Sequence, residues 1–309
     1  MFAIPQQKSK LWRACIVVCS LCLCAIQMAL AIEPMRYIYP PPESGADRRM
    51  NYYWELLQAA LEETTPQWGP FETKTSAKVV NAARAELLLA TGADISVTVR
   101  TTSIDREKTL HALLIPLDKG LTGYRLFLTK SGTEQRLGLV RKVADLKEFS
   151  IGQGVNWIDG DILRQAGLNV MTGPNYDALF NMLEANRFEL FSRGINEIGL
   201  EYAFAKSRMA DVVIDKYLLL YYPLPRYFFF APTPEGERLA MRVEEGLRRL
   251  KRNGKFEKRY QAFKRSFIVG LDLSGRRILR IDNPYLSAAT PLADRDLWDT
   301  LDSELKATP

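Results

Sequence analysis

Cysteine is missing beyond Cys24, and His111 is the only histidine in the chain. The four cysteines, Cys15, Cys19, Cys22 and Cys24, crowd into one early apolar run. Whatever follows that run must fold on an ordinary core, without a disulfide. A single imidazole and no later thiol also exclude a multi-histidine or cysteine-rich metal site, and no cofactor is expected. His111, in HALLIP, reads as a packed or surface residue, because a catalytic imidazole needs an orienting partner that the sequence does not identify. There is no G-x-S-x-G nucleophile elbow and no Walker A loop, and Gly152-Gln153-Gly154 lacks the third glycine of a dinucleotide fingerprint. Two carboxylate pairs remain, Asp159/Asp161 and Glu197/Glu201, and both read first as solvated or capping side chains. Internal repeats, low-complexity tracts and long flexible linkers are absent too.

What is present begins with a leader. Lys8, Lys10 and Arg13 precede an apolar run, 14–28, that ends at Ala29-Leu30-Ala31. A basic end, an apolar middle and a small-x-small finish make a secretory signal peptide with cleavage after Ala31. The alternative is an uncleaved anchor, since the run approaches the roughly 20 residues that span a bilayer; the small-x-small finish favours cleavage. Lipidation is disfavoured because leucine precedes both Cys22 and Cys24. The net charge of +6 includes these three leader cations, so the remainder is only mildly basic. A basic cluster over 238–265 is interleaved with Glu235, Glu237, Glu244, Glu245 and Glu257. It reads as a solvated helix face, and no nucleic-acid partner is expected.

Strands are expected at 35–39, 71–75, 94–100, 124–129, 149–153, 188–191, 211–222 and 227–231. Between them, helical spacing marks 47–62, 77–89, 154–166, a helix capped by Asn175, and 234–254, which opens on Pro234 and ends at Gly254. This alternation argues for α/β architecture with parallel neighbours. The aromatic run YYPLPRYFFF, 221–230, reads as a buried strand with its approach loop.

Several stretches carry a family resemblance: GADISVTVRTTSIDRE (92–107), VADLKEFSIGQGVNW (143–157), NYDALFNMLEANRFELF (175–191) and the helix that closes at Gly254. Over roughly 35–263 the chain resembles bacterial extracellular solute-binding proteins of the amino-acid type, family 3. The resemblance implies a two-lobed periplasmic-binding-protein-like (type 2) fold, with two α/β lobes joined by crossing strands. Lobe 1 would comprise 32–128 and 228–309, and lobe 2 would comprise 129–227. It implies a periplasmic protein that binds a small carboxylate-bearing solute, such as an amino acid or a related acid, for a permease or sensor in the membrane. It does not imply an enzyme. Two other readings stay open: a ligand-less module that docks a protein, and a dehydratase-like enzyme on the same scaffold.

The resemblance also assigns residues. Thr101 and Arg106 would face the ligand, and a guanidinium suits a carboxylate because it offers a bidentate fork. The alternative for Arg106 is a surface ion pair with Asp105 or Glu107. The amides of Val155 and Asn156, beside Trp157, would meet an anion at a helix start. Tyr39 would form an aromatic wall. RFELFSRGINEIG, 187–199, leads to the position where amino-acid binders keep an aspartate for the ligand's ammonium, and here that position is Gly194. Glu197 is the candidate substitute, while the neighbouring Arg193 would repel an ammonium.

Overall fold

A computed structural model describes residues 33–42, 48–77, 80 and 82–306. The expected leader, its cysteines and its cleavage point lie outside the described residues. No helix among the described residues is long and apolar enough to cross a membrane.

The first lobe begins with β1 (Met35–Tyr39), α1 (Asn51–Trp68), β2 (Phe71–Thr75), α2 (Ala82–Ala90), β3 (Val97–Thr101), α3 (Ile104–Thr109) and β4 (His111–Ala112). The second lobe comprises β5 (Tyr124–Lys130), α4 (Ser131–Leu137), β6 (Ser150–Gly154), α5 (Ile158–Gln165), β7 (Asn169–Gly173), α6 (Tyr176–Glu184), β8 (Leu190–Gly194), α7 (Ile198–Lys206), β9 (Val212–Ile214) and β10 (Leu218–Tyr221). The chain then returns through β11 (Arg226–Phe230), α8 (Pro234–Arg252), α9 (Lys255–Ile268), β12 (Arg277–Arg280) and α10 (Asp302–Lys306).

β1 and β2 pair in parallel, and β3, β11 and β4 form an antiparallel sheet in the order β3-β11-β4. The Ser96 amide joins the two by donating to the Ile38 carbonyl at 2.8 Å. The larger sheet runs β12-β10-β5-β8-β6-β7, with β9 on the far end of β5. The chain passes from the smaller sheet to the larger over 113–123 and returns over 222–225. The passes run so close that a Cβ on Gly123 would lie 2.2 Å from the Tyr222 carbonyl oxygen.

Local chemistry accounts for the helix that closes the first lobe. Thr233 caps α8 by accepting from the Gly236 amide at 3.1 Å, Pro234 occupies its first turn, and Glu235 and Glu237 face the positive end of the helix dipole. Arg249, Lys251 and Arg252 fall in the last turn, and Gly254, at φ +75°, reverses the chain. α8 packs on α1 where Gly246 lets the Ala60 carbonyl approach. Buried Arg242 hydrogen-bonds the Leu61, Gly69 and Pro70 carbonyls, which finishes α1.

Three expectations change. The cluster at 238–265 spans two helices rather than one face. The strand expected over 211–222 divides into β9 and β10, because the Asp215 carboxylate accepts from the amides of Tyr217 and Leu218 and forms a turn. Finally, 228–309 does not stay with the first lobe: β12 pairs in parallel with β10 in the larger sheet. From there the tail crosses back, with Asn283 donating to the Pro223 carbonyl and the Asp299 amide to the Lys119 carbonyl. The aromatic run is buried as expected, Tyr227 to Phe230 forming the body of β11.

Candidate functional site: an arginine-lined cleft between the lobes

A cavity of about 740 Å³ lies between the two sheets. All eight residues singled out from the sequence line it: Tyr39, Thr101, Arg106, Val155, Asn156, Trp157, Arg193 and Glu197. The first lobe contributes the ends of β1 and β3, the first turn of α3 and one face of α1. The second contributes the turn after β6, the start of α6 and the end of β8.

Arg106 is placed by its helix. Ser103 caps α3, accepting from the Arg106 amide at 3.2 Å, which sets Arg106 in the first turn next to Thr101. Its guanidinium forks onto Glu86, with Nε and Nη2 donating at 3.1 and 3.2 Å, and Nη1 donates to the Thr101 carbonyl at 2.5 Å. The ion pair is therefore neither with Asp105, which holds Lys108, nor with Glu107, which accepts from Thr102. Three of the five guanidinium N–H groups are spent and two remain. Arg100, on β3, also lies 2.8 Å from Glu86. Two guanidiniums thus share one carboxylate. Burial pulls the Arg100 pKa down to about 10 against the pull of Glu86, and Arg106 and Arg226 push the same way as burial.

Across the cleft, Arg193 donates to Glu201 through Nε and Nη2 at 2.6 and 2.7 Å, and Nη2 lies 2.9 Å from Glu197. The Trp157 ring stacks on the guanidinium at 4.6 Å. Burial works against the charge on Arg193, yet Glu201 and Glu197 hold its pKa above the usual arginine value. Arg226, the first residue of β11, reaches from the other sheet to Glu197 at 2.8 Å and donates to Thr122 at 2.9 Å. Arg125, on β5, pairs with Asp159 and donates to the Tyr222 hydroxyl at 2.9 Å. Arg49 lies 5.0 Å from the Tyr176 ring centroid, a second contact between the lobes.

Glu197 is therefore the hub. Burial would raise its pKa, but Arg193, Arg226, Arg125 and Arg49 outweigh burial and hold it at about 2. Its carboxylate also fills the space beside Gly194: a Cβ at 194 would lie 2.7 Å from Asn196 Oδ1, 3.0 Å from Arg125 Nη1 and 3.2 Å from Glu197 Oε2. Neither carboxylate pair is simply solvated. Asp159, Glu197 and Glu201 are buried counter-ions, and only Asp161, paired with Arg164 at 2.9 Å, stays on the surface.

The Gly154 turn departs from expectation. The Val155 amide is not free for an anion, since it donates to the Gly173 carbonyl at 3.0 Å, and the Val155 side chain is exposed. Gly154 itself lies against the Trp157 ring, 2.6 Å from where a Cβ would sit. Tyr39 lines the cavity with its ring stacked on Trp54, centroids 4.3 Å apart.

Arg49, Trp54, Arg100, Arg125, Tyr176 and Arg226 went unnoticed in the sequence. A signal existed for two of them. Arg125 is the one cation ahead of a long apolar strand in YRLFLT, and Arg226 stands between proline and the aromatic run. A charge embedded in an otherwise buried strand needs a counter-ion, and therefore marks a buried polar site.

An ancestral arginine-binding protein, solved with arginine, superposes with a TM-score of 0.53 at 18% identity, covering 74% of this chain and 97% of that one. The fold is that of the two-lobed periplasmic binding proteins. A periplasmic binding protein of Salmonella typhimurium, described for high arginine specificity, matches this fold equally well at 15% identity over 76% of this chain and 98% of that one, TM-score 0.53. A histidine kinase sensor domain with similarity to periplasmic binding proteins follows at 16% identity, TM-score 0.51, over 76% and 96%. No protein-family model and no curated protein matches the chain. At these identities the likeness is one of fold.

Proposed function

We propose that the protein is an exported, periplasmic solute-binding protein whose cleft takes a small carboxylate-bearing solute and presents it to a permease or sensor in the membrane. The observation that carries this reading is the convergence of six arginines, Arg49, Arg100, Arg106, Arg125, Arg193 and Arg226, from both lobes on one cavity. Its volume of about 740 Å³ suits a small molecule. Arg106 anchors the carboxylate with its two remaining N–H groups, Arg100 adds the charge that Glu86 leaves unbalanced, and Arg193 faces them from the other lobe. Tyr39, Trp54 and Trp157 cover the rest of the solute. A ligand that touches both lobes favours the closed arrangement by population shift. The leader and the binding-protein fold together support export, and the fold's occurrence in a sensor domain supports a membrane partner.

Thermal melts of the purified protein against a panel of small organic acids test the proposal. At least one acid should raise the midpoint, and Arg106→Ala should abolish that rise while leaving the unliganded midpoint close to wild type, since Arg100 continues to pair Glu86. A full panel without response, or a response unchanged in the variant, overturns it.

A further inference from the structure

We infer that the cleft selects acids that carry no ammonium group, such as oxo-acids, hydroxy-acids or dicarboxylates, over their amino-acid counterparts. The inference rests on the proposed small-acid reading and narrows it. An α-amino acid brings a cation that must find a carboxylate on leaving water or bind weakly. Three carboxylates line the cavity: Glu55, Asp159 and Glu197. Glu197 is already held by Arg193 at 2.9 Å and Arg226 at 2.8 Å, and Asp159 by Arg125 and by the Tyr222 hydroxyl at 2.6 Å. Glu55 is exposed, where solvent screens an ion pair and leaves it weak. Six guanidiniums line the same cavity, and even with Glu86, which pairs Arg100 and Arg106, and Glu201, which pairs Arg193, added to these three, they outnumber the carboxylates six to five and disfavour a further cation.

A second, independent feature points to an anion. Arg125 is 3% exposed, yet among the described residues its Nη1 makes no hydrogen bond, and it lies 4.0 Å from Glu197 Oε2. A buried guanidinium N–H without an acceptor is costly. Arg125 lines the cavity, and a guanidinium with an unspent donor favours an anion beside it over an ammonium. The oxygen of a 2-oxo or 2-hydroxy group, or a second carboxylate, is chemically matched to this donor.

Titration calorimetry of the purified protein at pH 7 against matched pairs tests the inference: 2-oxoglutarate with glutamate, phenylpyruvate with phenylalanine, lactate with alanine. The ammonium-free member of at least one pair should bind at least tenfold tighter. An amino acid that binds as tightly as its partner, or more so, overturns this inference and leaves the small-acid proposal standing. Absence of binding by every member, confirmed across the acid panel, overturns both.

Discussion

Replacing Glu197 by glutamine removes one negative charge from the middle of four arginines without changing the side chain's shape. Two routes give the size of the effect. The carboxyl titrates near 2 in the folded protein against an ordinary 4.5, and at 1.36 kcal/mol per pH unit this is about 3 kcal/mol at neutral pH. Removing one partner of a buried ion pair costs about 3–5 kcal/mol, because the other charge stays behind. Both place Glu197→Gln about 3 kcal/mol below wild type at pH 7. The sign of the pH dependence follows from the lowered value. The stabilisation is complete above about pH 4.5 and is lost as the pH falls through about 2, where the wild-type carboxyl takes up its proton and resembles the amide. Urea unfolding of both proteins at pH 7, 5, 4 and 3 measures the gap, which should shrink to about 1 kcal/mol at pH 3. A gap under about 1 kcal/mol at pH 7, or one that does not change with pH, refutes the view of Glu197 as the charged hub of the cleft.

Two further predictions concern the frame that holds the cleft. Gly246→Ala drives a methyl group to within 2.1 Å of the Ala60 carbonyl oxygen and forces α8 off α1, so it should cost at least about 1–3 kcal/mol in urea unfolding. Thr233→Ala removes the side-chain acceptor for the Gly236 amide at the start of α8 and should cost about 1 kcal/mol, with Thr233→Ser recovering most of it.

Much of the architecture was legible because it rests on local signals. α8 announces itself by Thr233, Pro234, the early glutamates, the late cations and Gly254, and the structure uses each of them. β1, β2 and β11 fall within a residue of their expected bounds because their ends are set by proline or by alternation. Where the reading failed, contact with distant chain had decided the outcome. β9 and β10 are parted by a single carboxylate turn at Asp215, inside a stretch apolar enough to pass for one strand. β12 has an ordinary sequence, RILR, and becomes a strand only because β10 offers it an edge sixty residues earlier in the chain.

The cleft was legible as a place but not as a charge balance. The first turn of α3 and the turn after β6 reached the cavity because short motifs fix both, and Arg193 and Glu197 came with the end of β8. The sequence carried no indication of which carboxylate would meet which arginine. Glu86 lies twenty residues from Arg106 and Asp159 thirty-four from Arg125, on elements that meet only after both lobes have formed. That pairing decides the chemistry. Had Glu197 been free, the cleft would suit an ammonium beside a carboxylate. With Arg226 reaching it from the opposite sheet and Arg193 from its own, the same glutamate is spent on two guanidiniums, and this is what the proposal of an anionic solute rests on.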